Sequence, residues 1–147
     1  MDLYEHLVLQ YLTKDAHVFV SPQYSIRGDT GGEWSCPDFV TLNFRDKIVS
    51  VVEVSSASDP QSLRARVASR DVQWINRLRE QLERNRVVDA TWKYYVGVFI
   101  RRDAERKFRA AIGTADNVVI HILEDLGAPW TWTRSYLPIQ ETVTGEA

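Results

Sequence analysis

Asp38 and Glu53 are the two residues of this sequence whose types and spacing best suit metal chemistry. Asp38 lies in a segment that alternates polar and apolar residues, 36–44, and Glu53 lies in a β-branched segment, 48–55. The charged residues 45–47 between them are typical of a turn, so the pattern predicts an antiparallel hairpin. Asp38 then faces Glu53 at about 5 Å. Two carboxylates at that distance repel each other unless a cation lies between them, and Mg²⁺ prefers such oxygen ligands.

The alternative is that both acids lie on a solvated strand face and keep a sheet edge soluble. Glu53, however, follows Val51 and Val52 and precedes Val54, and these neighbours favour a buried position. Because a buried carboxylate needs a partner, the sequence favours the metal site over the solvated face.

The hydrophobic pattern predicts the elements that would position this pair. Helices are predicted at residues 2–14, from about 59 to 83 and at 103–112, and further strands at 17–26, 92–100 and 117–123. Residues 27–33 are predicted to form a loop, and the Trp-rich residues from about 129 fit no element. A strand meander followed by helical crossovers predicts an α/β (α+β) fold with a central mixed sheet flanked by helices.

The helix predicted after the hairpin carries candidate phosphate ligands. At about 100° per residue, its apolar residues form one core-facing stripe: Leu63, Val67, Trp74 and Leu78. Polar residues follow one edge of that stripe: Arg66, Arg70, Gln73 and Arg77, with Arg64 on the other edge. The alternative is that these arginines only extend from a partly buried helix into water, which alone would explain Arg77. For Arg66 and Arg70, which follow the acidic strand within a few turns, the positions favour function.

The net charge of −2 conceals an uneven distribution. Residues 64–109 contain thirteen Lys or Arg and six Asp or Glu, so the rest of the chain is strongly acidic. The basic segment could face a polyanion, because the local potential within about 8 Å steers a phosphate backbone. The alternative is a solvated charge pattern that stabilises helices. The predicted nucleic-acid contacts are Arg64, Arg66, Arg70, Gln73, Arg106 and Lys107.

The size and composition predict one soluble domain of 147 residues. The sequence has neither an apolar run of membrane-spanning length nor the features of a signal peptide, so we expect a cytoplasmic protein with no membrane contact. The single cysteine, Cys36, is expected to be a half-buried strand residue, with a catalytic thiol as the alternative.

The order of elements and acids resembles the PD-(D/E)XK nuclease superfamily, which has the restriction-endonuclease-like fold. The resemblance covers residues 2–123 and rests on Pro37-Asp38 and the later Glu53-Val54-Ser55, with Glu5 in the place of the family's first-helix acid. It implies an αβββαβ core in which Asp38 and Glu53 bind Mg²⁺ or Mn²⁺ and Glu5 is an outer ligand. It also implies DNA as the substrate.

Ser55 departs from this family, which has a lysine two residues after its second acid. Lys47 lies at the turn, about 20 Å of strand from Glu53, and is excluded as a substitute. Superfamily members are known to place the basic residue on the following helix, and the segment from Glu53 to Ser58 is similar to the Uma2-like branch. Here that helix offers Arg66 and Arg70. Arginine can stabilise a phosphate but cannot deprotonate water, so water activation would fall to the metal.

Three functions therefore remain open from the sequence. The first is a metal-dependent DNA endonuclease, in which Arg66 or Arg70 stabilises the phosphate. The second is a catalytically degenerate module of the same fold that binds nucleic acid or assembles with proteins. The third is an adaptor that uses Trp130 and Trp132 as an interface, although aromatic residues more often pack in a core. The small domain has no obvious recognition module, so a homodimer or larger complex is also expected.

Overall fold

The computed structural model describes residues 1–126, and the Trp-rich segment from about 129 lies outside the described residues. The helices are α1 (Leu3–Leu12), α2 (Gln61–Ala68), α3 (Asn76–Arg84), α4 (Glu105–Ile112) and α5 (Leu123–Leu126). The strands are β1 (Val18–Pro22), β2 (Ile26–Arg27), β3 (Glu33–Ser35), β4 (Phe39–Asn43), β5 (Ile48–Val54), β6 (Lys93–Ile100) and β7 (Val118–Ile122). In this part of the chain, every helix is too short or too polar to span a bilayer.

The central sheet has five strands in the order β1-β4-β5-β6-β7. Strands β1, β4 and β5 pair antiparallel, whereas β5, β6 and β7 pair parallel. The parallel pairs follow from the helical connections, because a crossover returns the chain to the same end of the sheet. The predicted mixed sheet flanked by helices is confirmed.

A small second sheet, β2–β3, was not predicted. The strand predicted at 17–26 is interrupted because Pro22 has no N–H for the ladder and Gln23 adopts a left-handed φ of 51°. The chain then forms the antiparallel pair β2–β3, and most of the residues predicted as a loop, 28–32, connect these two strands. This hairpin leads directly into the segment that carries Asp38.

The β4–β5 hairpin has the predicted register. Phe39 pairs with Val52, so the next position places Asp38 opposite Glu53. The turn is held by Asn43, whose side-chain oxygen accepts the backbone N–H groups of Arg45 and Asp46 at 3.0 and 3.1 Å. A short turn and a two-residue side-chain period together fix which face each carboxylate occupies.

The long predicted helix is divided into α2, a π-helical turn at Asp71–Ile75 and α3. Its apolar stripe is confirmed, because Leu63, Val67, Trp74 and Leu78 are all buried. Pro60 occupies the N-cap position of α2, and the Asp59 carboxylate before it binds the side chains of Arg64 and Gln61.

The two faces of the sheet bury different helices. Because side chains alternate along a strand, the face that carries Val49 and Val51 packs against α2, α3 and α4. The opposite face carries Val52 and Phe99 and packs against α1 and α5. Asp38 and Glu53 share the side-chain parity of the first face. The acid pair therefore lies on the side of the sheet where α2 approaches.

Candidate functional site

Two hydrogen bonds from backbone N–H groups hold the Asp38 and Glu53 carboxylates together at the end of the β4–β5 hairpin. The N–H of Asp38 donates to Glu53 Oε2 at 2.7 Å, and the N–H of Val54 donates to Asp38 Oδ2 at 2.8 Å. Each carboxylate thus satisfies a donor on the opposite strand, just beyond the last ladder pair. These two bonds hold the carboxyl groups face to face without any ligand.

Arg66 brings a positive charge to one member of the acid pair, Glu53. Its guanidinium Nη1 binds Glu53 Oε1 from the second turn of α2. The Glu53 side chain is only 6 % exposed, whereas that of Arg66 is 38 % exposed. One partner of this ion pair is therefore fixed in the protein interior, while the other remains in contact with solvent.

Burial dominates the proton affinity of the pair. It raises the pKa of Glu53 above its usual range, and the nearby Asp38 charge raises this pKa further. Burial also raises the pKa of Asp38, although the Val54 N–H and the Arg66 charge act in the opposite direction. Both acids consequently retain a proton more strongly than exposed carboxyl groups do.

Glu5 lies in the first turn of α1, where its N–H donates to Asp2 Oδ1 at 2.8 Å. Burial and then the charge of Asp38 raise the pKa of Glu5, so the two carboxylates influence each other electrostatically. Within residues 1–126, however, no three His, Cys, Asp or Glu side chains converge closely enough to hold a metal ion. The structure thus brings Asp38 and Glu53 together and leaves Glu5 outside the direct contacts of that pair.

Asp38 and Glu53 fit a divalent ion by the chemistry of their donors. Both offer hard carboxylate oxygens, and two carboxylates leave positions for water and phosphate. Asp38 Oδ1 accepts no hydrogen bond from the described part of the chain, whereas Glu53 Oε1 is taken by Arg66. An ion held by both side chains would therefore compete with the guanidinium for Glu53.

Arg70 does not approach the acid pair. Its Nε donates to Asn117 Oδ1 at 2.8 Å, and its Nη1 donates to the carbonyl of Val67 at 3.1 Å. Asn117 precedes β7, whose first residue is level with Val51, so Asn117 lies three residues along the strands from the level of Glu53. Of the two predicted arginines, only Arg66 is placed to act with the acids.

Gln73 is directed towards the β2–β3 hairpin instead of towards the acids. The side-chain amide of Gln73 donates to Ser35 Oγ at 3.3 Å, and the backbone carbonyl of Gln73 accepts the indole N–H of Trp34 at 3.0 Å. Arg77 continues this contact by binding Asp29 at 2.8 Å and lying 4.0 Å from the Trp34 ring centroid. These residues fasten the hairpin that precedes Asp38.

Gln81 also joins α3 to the β2–β3 hairpin, and the sequence pattern predicts no role for this residue. It is buried, and its side-chain oxygen accepts the N–H of Arg27 at 2.8 Å. Its amide nitrogen donates to Tyr24 Oη and to the Ser25 carbonyl. A glutamine on the polar side of a helical pattern gives no sequence signal for such a role.

The other predicted nucleic-acid contacts lie on α2 and α4. Arg64 and Lys107 both bind the carboxylate of Asp59, the latter at 3.5 Å, so α2 and α4 share one acid. Arg106 is exposed on α4. The shared acid offsets part of the positive charge that the sequence suggests for this surface.

Ser55, at the place of the family's lysine, is turned into the loop before α2. Its N–H donates to the Phe99 carbonyl at 3.0 Å, and its hydroxyl accepts the N–H of Ala57 at 3.3 Å. A cavity of about 510 Å³ lies beside this loop, and its lining includes Ser55, Ser62 and Arg66. Arg66 thus borders both the acid pair and an open cavity.

Cys36 is exposed between β3 and β4, so its expected half-buried strand position is wrong. Pro37, the next residue, is buried instead, which leaves the thiol at the surface. Comparison of the chain with protein-family models, with curated proteins and with solved structures gave no match.

Proposed function

We propose that this chain is a metal-dependent DNA endonuclease of the PD-(D/E)XK type that hydrolyses phosphodiester bonds with Mg²⁺ or Mn²⁺. The observation that carries the proposal is that Asp38 and Glu53 face each other and that each carboxylate accepts a backbone N–H from the opposite strand. A hairpin end could be closed by one polar side chain, whereas two opposed carboxylates add a repulsion that favours cation binding. The succession of α1, the strand meander, α2 and β6 supports a restriction-endonuclease-like αβββαβ core for this site.

The residues of the chain have distinct roles in such a reaction. Asp38 and Glu53 would hold the ion, and Glu5 would bind through water as an outer ligand. When bound, the ion lowers the pKa of water and offsets phosphate charge. Arg66 would donate to a phosphate oxygen, since its guanidinium remains protonated and its fork matches phosphate geometry. Ser55 cannot replace a lysine as a charged donor.

The second candidate is a catalytically degenerate module that binds nucleic acid or assembles with proteins. The contact between Arg66 and Glu53 favours it, because that contact neutralises the buried carboxylate without any metal. Arg64 and Lys107 remain candidate phosphate contacts in this module. The Lys107 side chain is exposed, so its ion pair with Asp59 is weak enough to open.

Cleavage assays separate the two candidates. Single-stranded, duplex and branched DNA would be incubated with the full chain and Mg²⁺ or Mn²⁺, with a chelator as the blank. We expect metal-dependent cleavage that Asp38→Asn abolishes. Asp46→Asn is the matched control, because it makes the same exchange at the exposed turn of the same hairpin. DNA binding without cleavage would support the degenerate module, and equal cleavage by Asp38→Asn would refute the site.

A further inference from the structure

Arg66 occupies a position between two binding sites. Its guanidinium binds the buried Glu53, and the same side chain lines the cavity of about 510 Å³ beside the β5–α2 loop. Since the side chain is 38 % exposed, it can leave Glu53 without disturbing the core. Its Cζ lies 5.9 Å from the Trp74 ring centroid, near the outer limit of a cation–π contact.

Loss of the Arg66–Glu53 ion pair would leave the buried Glu53 carboxylate without a positively charged partner. The charges that act on Glu53 from the described residues are the negative Asp38 and the positive Arg66. If Arg66 moves away, the buried Glu53 and the partly buried Asp38 remain opposed with only backbone donors to stabilise them. A divalent cation would then bind in place of the guanidinium, because a buried charge needs a partner.

We propose that Arg66 couples the two sites: a nucleic-acid phosphodiester in the cavity draws the guanidinium from Glu53 and thereby strengthens divalent-cation binding at the acid pair. This coupling rests on the proposed function, because it regulates the proposed metal site. Linkage makes the effect reciprocal, so the cation strengthens phosphodiester binding by the same factor. Without DNA, Arg66 keeps the metal affinity low, and the complete site forms only with substrate.

Calorimetry with Mn²⁺ tests this coupling without relying on activity. The full chain would be titrated alone and with a saturating thymidine dinucleotide whose phosphorothioate linkage resists cleavage. We expect the dinucleotide to tighten Mn²⁺ binding by about 5–150-fold, the usual range of such coupling. The decisive variants are Arg66→Ala and Arg66→Gln, and the second retains much of the aliphatic stem.

Both Arg66 variants should bind Mn²⁺ at least about 5-fold more tightly than the wild type when no dinucleotide is present. Their gain on adding the dinucleotide should be smaller, because only direct contact between ion and phosphate remains. Arg84→Ala is the matched control: it removes an exposed arginine of α3 that pairs only with the exposed Glu80 in the described residues and belongs to neither site, so it should behave as the wild type.

The titrations give different results if the Arg66 coupling fails and if the proposed metal-dependent function fails. If both Arg66 variants bind Mn²⁺ as the wild type does, or more weakly, the coupling is refuted while the metal site stands. If the wild type and all variants bind no Mn²⁺ with or without the dinucleotide, the proposed metal-dependent function fails, and the coupling fails with it. Thermal denaturation of each variant confirms that the protein titrated is folded.

Discussion

Replacing Glu53 by two different residues separates its roles in the fold. Glu53→Ala removes both the acceptor for the Asp38 N–H and the partner of Arg66. A buried donor without an acceptor costs about 1–3 kcal/mol, and the relief of a buried charge offsets part of this loss. Glu53→Gln retains an oxygen for the Asp38 N–H and removes only the charge. We therefore expect the alanine variant to be the less stable of the two.

The expected magnitudes follow from these contacts. For Glu53→Ala, the free energy of unfolding should fall by about 1–3 kcal/mol, which lowers the melting temperature by about 3–10 °C in a domain of this size. For Glu53→Gln at neutral pH, the change should stay within about 1 kcal/mol, because the hydrogen bond survives and the half-exposed Arg66 can be solvated.

The pH dependence provides a second measure of the same site. Because burial and Asp38 raise the pKa of Glu53 above its ordinary value of 4.5, the native protein holds this proton more tightly than the unfolded chain. The wild type therefore loses stability as the pH rises from that ordinary value through the raised one. Glutamine does not titrate, so the stability of Glu53→Gln relative to the wild type should improve over the same interval.

Urea denaturation followed by tryptophan fluorescence at pH 4.5 and 7.5 would measure both effects. Glu80→Gln is the control, since this glutamate on α3 is 69 % exposed and approaches Arg84 at only 4.0 Å. Equal destabilisation by Gln and Ala at position 53 would show that the hydrogen bond to Asp38 contributes nothing. An unchanged difference between Glu53→Gln and the wild type at the two pH values would refute the electrostatic argument.

Two further predictions concern the helix and the β2–β3 hairpin. In the cleavage assay, Arg66→Ala should lower the rate by about 10²-fold, whereas Arg70→Ala should leave it unchanged because Arg70 binds Asn117; equal losses would contradict this assignment. Trp34→Phe keeps an aromatic ring but removes the indole N–H that donates to the backbone carbonyl of Gln73, so urea denaturation should show that the free energy of unfolding falls by about 1 kcal/mol. Unchanged stability would show that the hairpin does not need this bond.

The facing acids could be predicted because a strand hairpin has few degrees of freedom. Once Arg45 is placed in a short turn, the two-residue period determines both the partner and the face of every residue, including Asp38 and Glu53. Angular position along a helix likewise predicted that Arg66 reaches the hairpin. These inferences depend on local geometry that the sequence pattern specifies.

The position of Arg70 could not be predicted in the same way. Its angle on the helix is similar to that of Arg66, but Arg70 lies beyond the end of α2, one turn further along the chain from Glu53. There its long side chain binds Asn117, a residue distant in sequence. The short strands of the β2–β3 hairpin were missed for a related reason, since two or three residues are too few to show a period.

The uneven charge along the sequence does not become an equally uneven surface. Within residues 1–126, eight of the thirteen Lys and Arg residues at positions 64–109 form ion pairs with acidic residues. Most of these acids are exposed, so a phosphate that displaces one leaves a carboxylate that water can solvate. Arg66 differs because its partner, Glu53, stays buried when the guanidinium leaves. Among the ion pairs of the described residues, this is the one at which phosphate binding would leave a buried carboxylate without its cation. The proposed coupling would therefore link DNA and metal binding through Arg66.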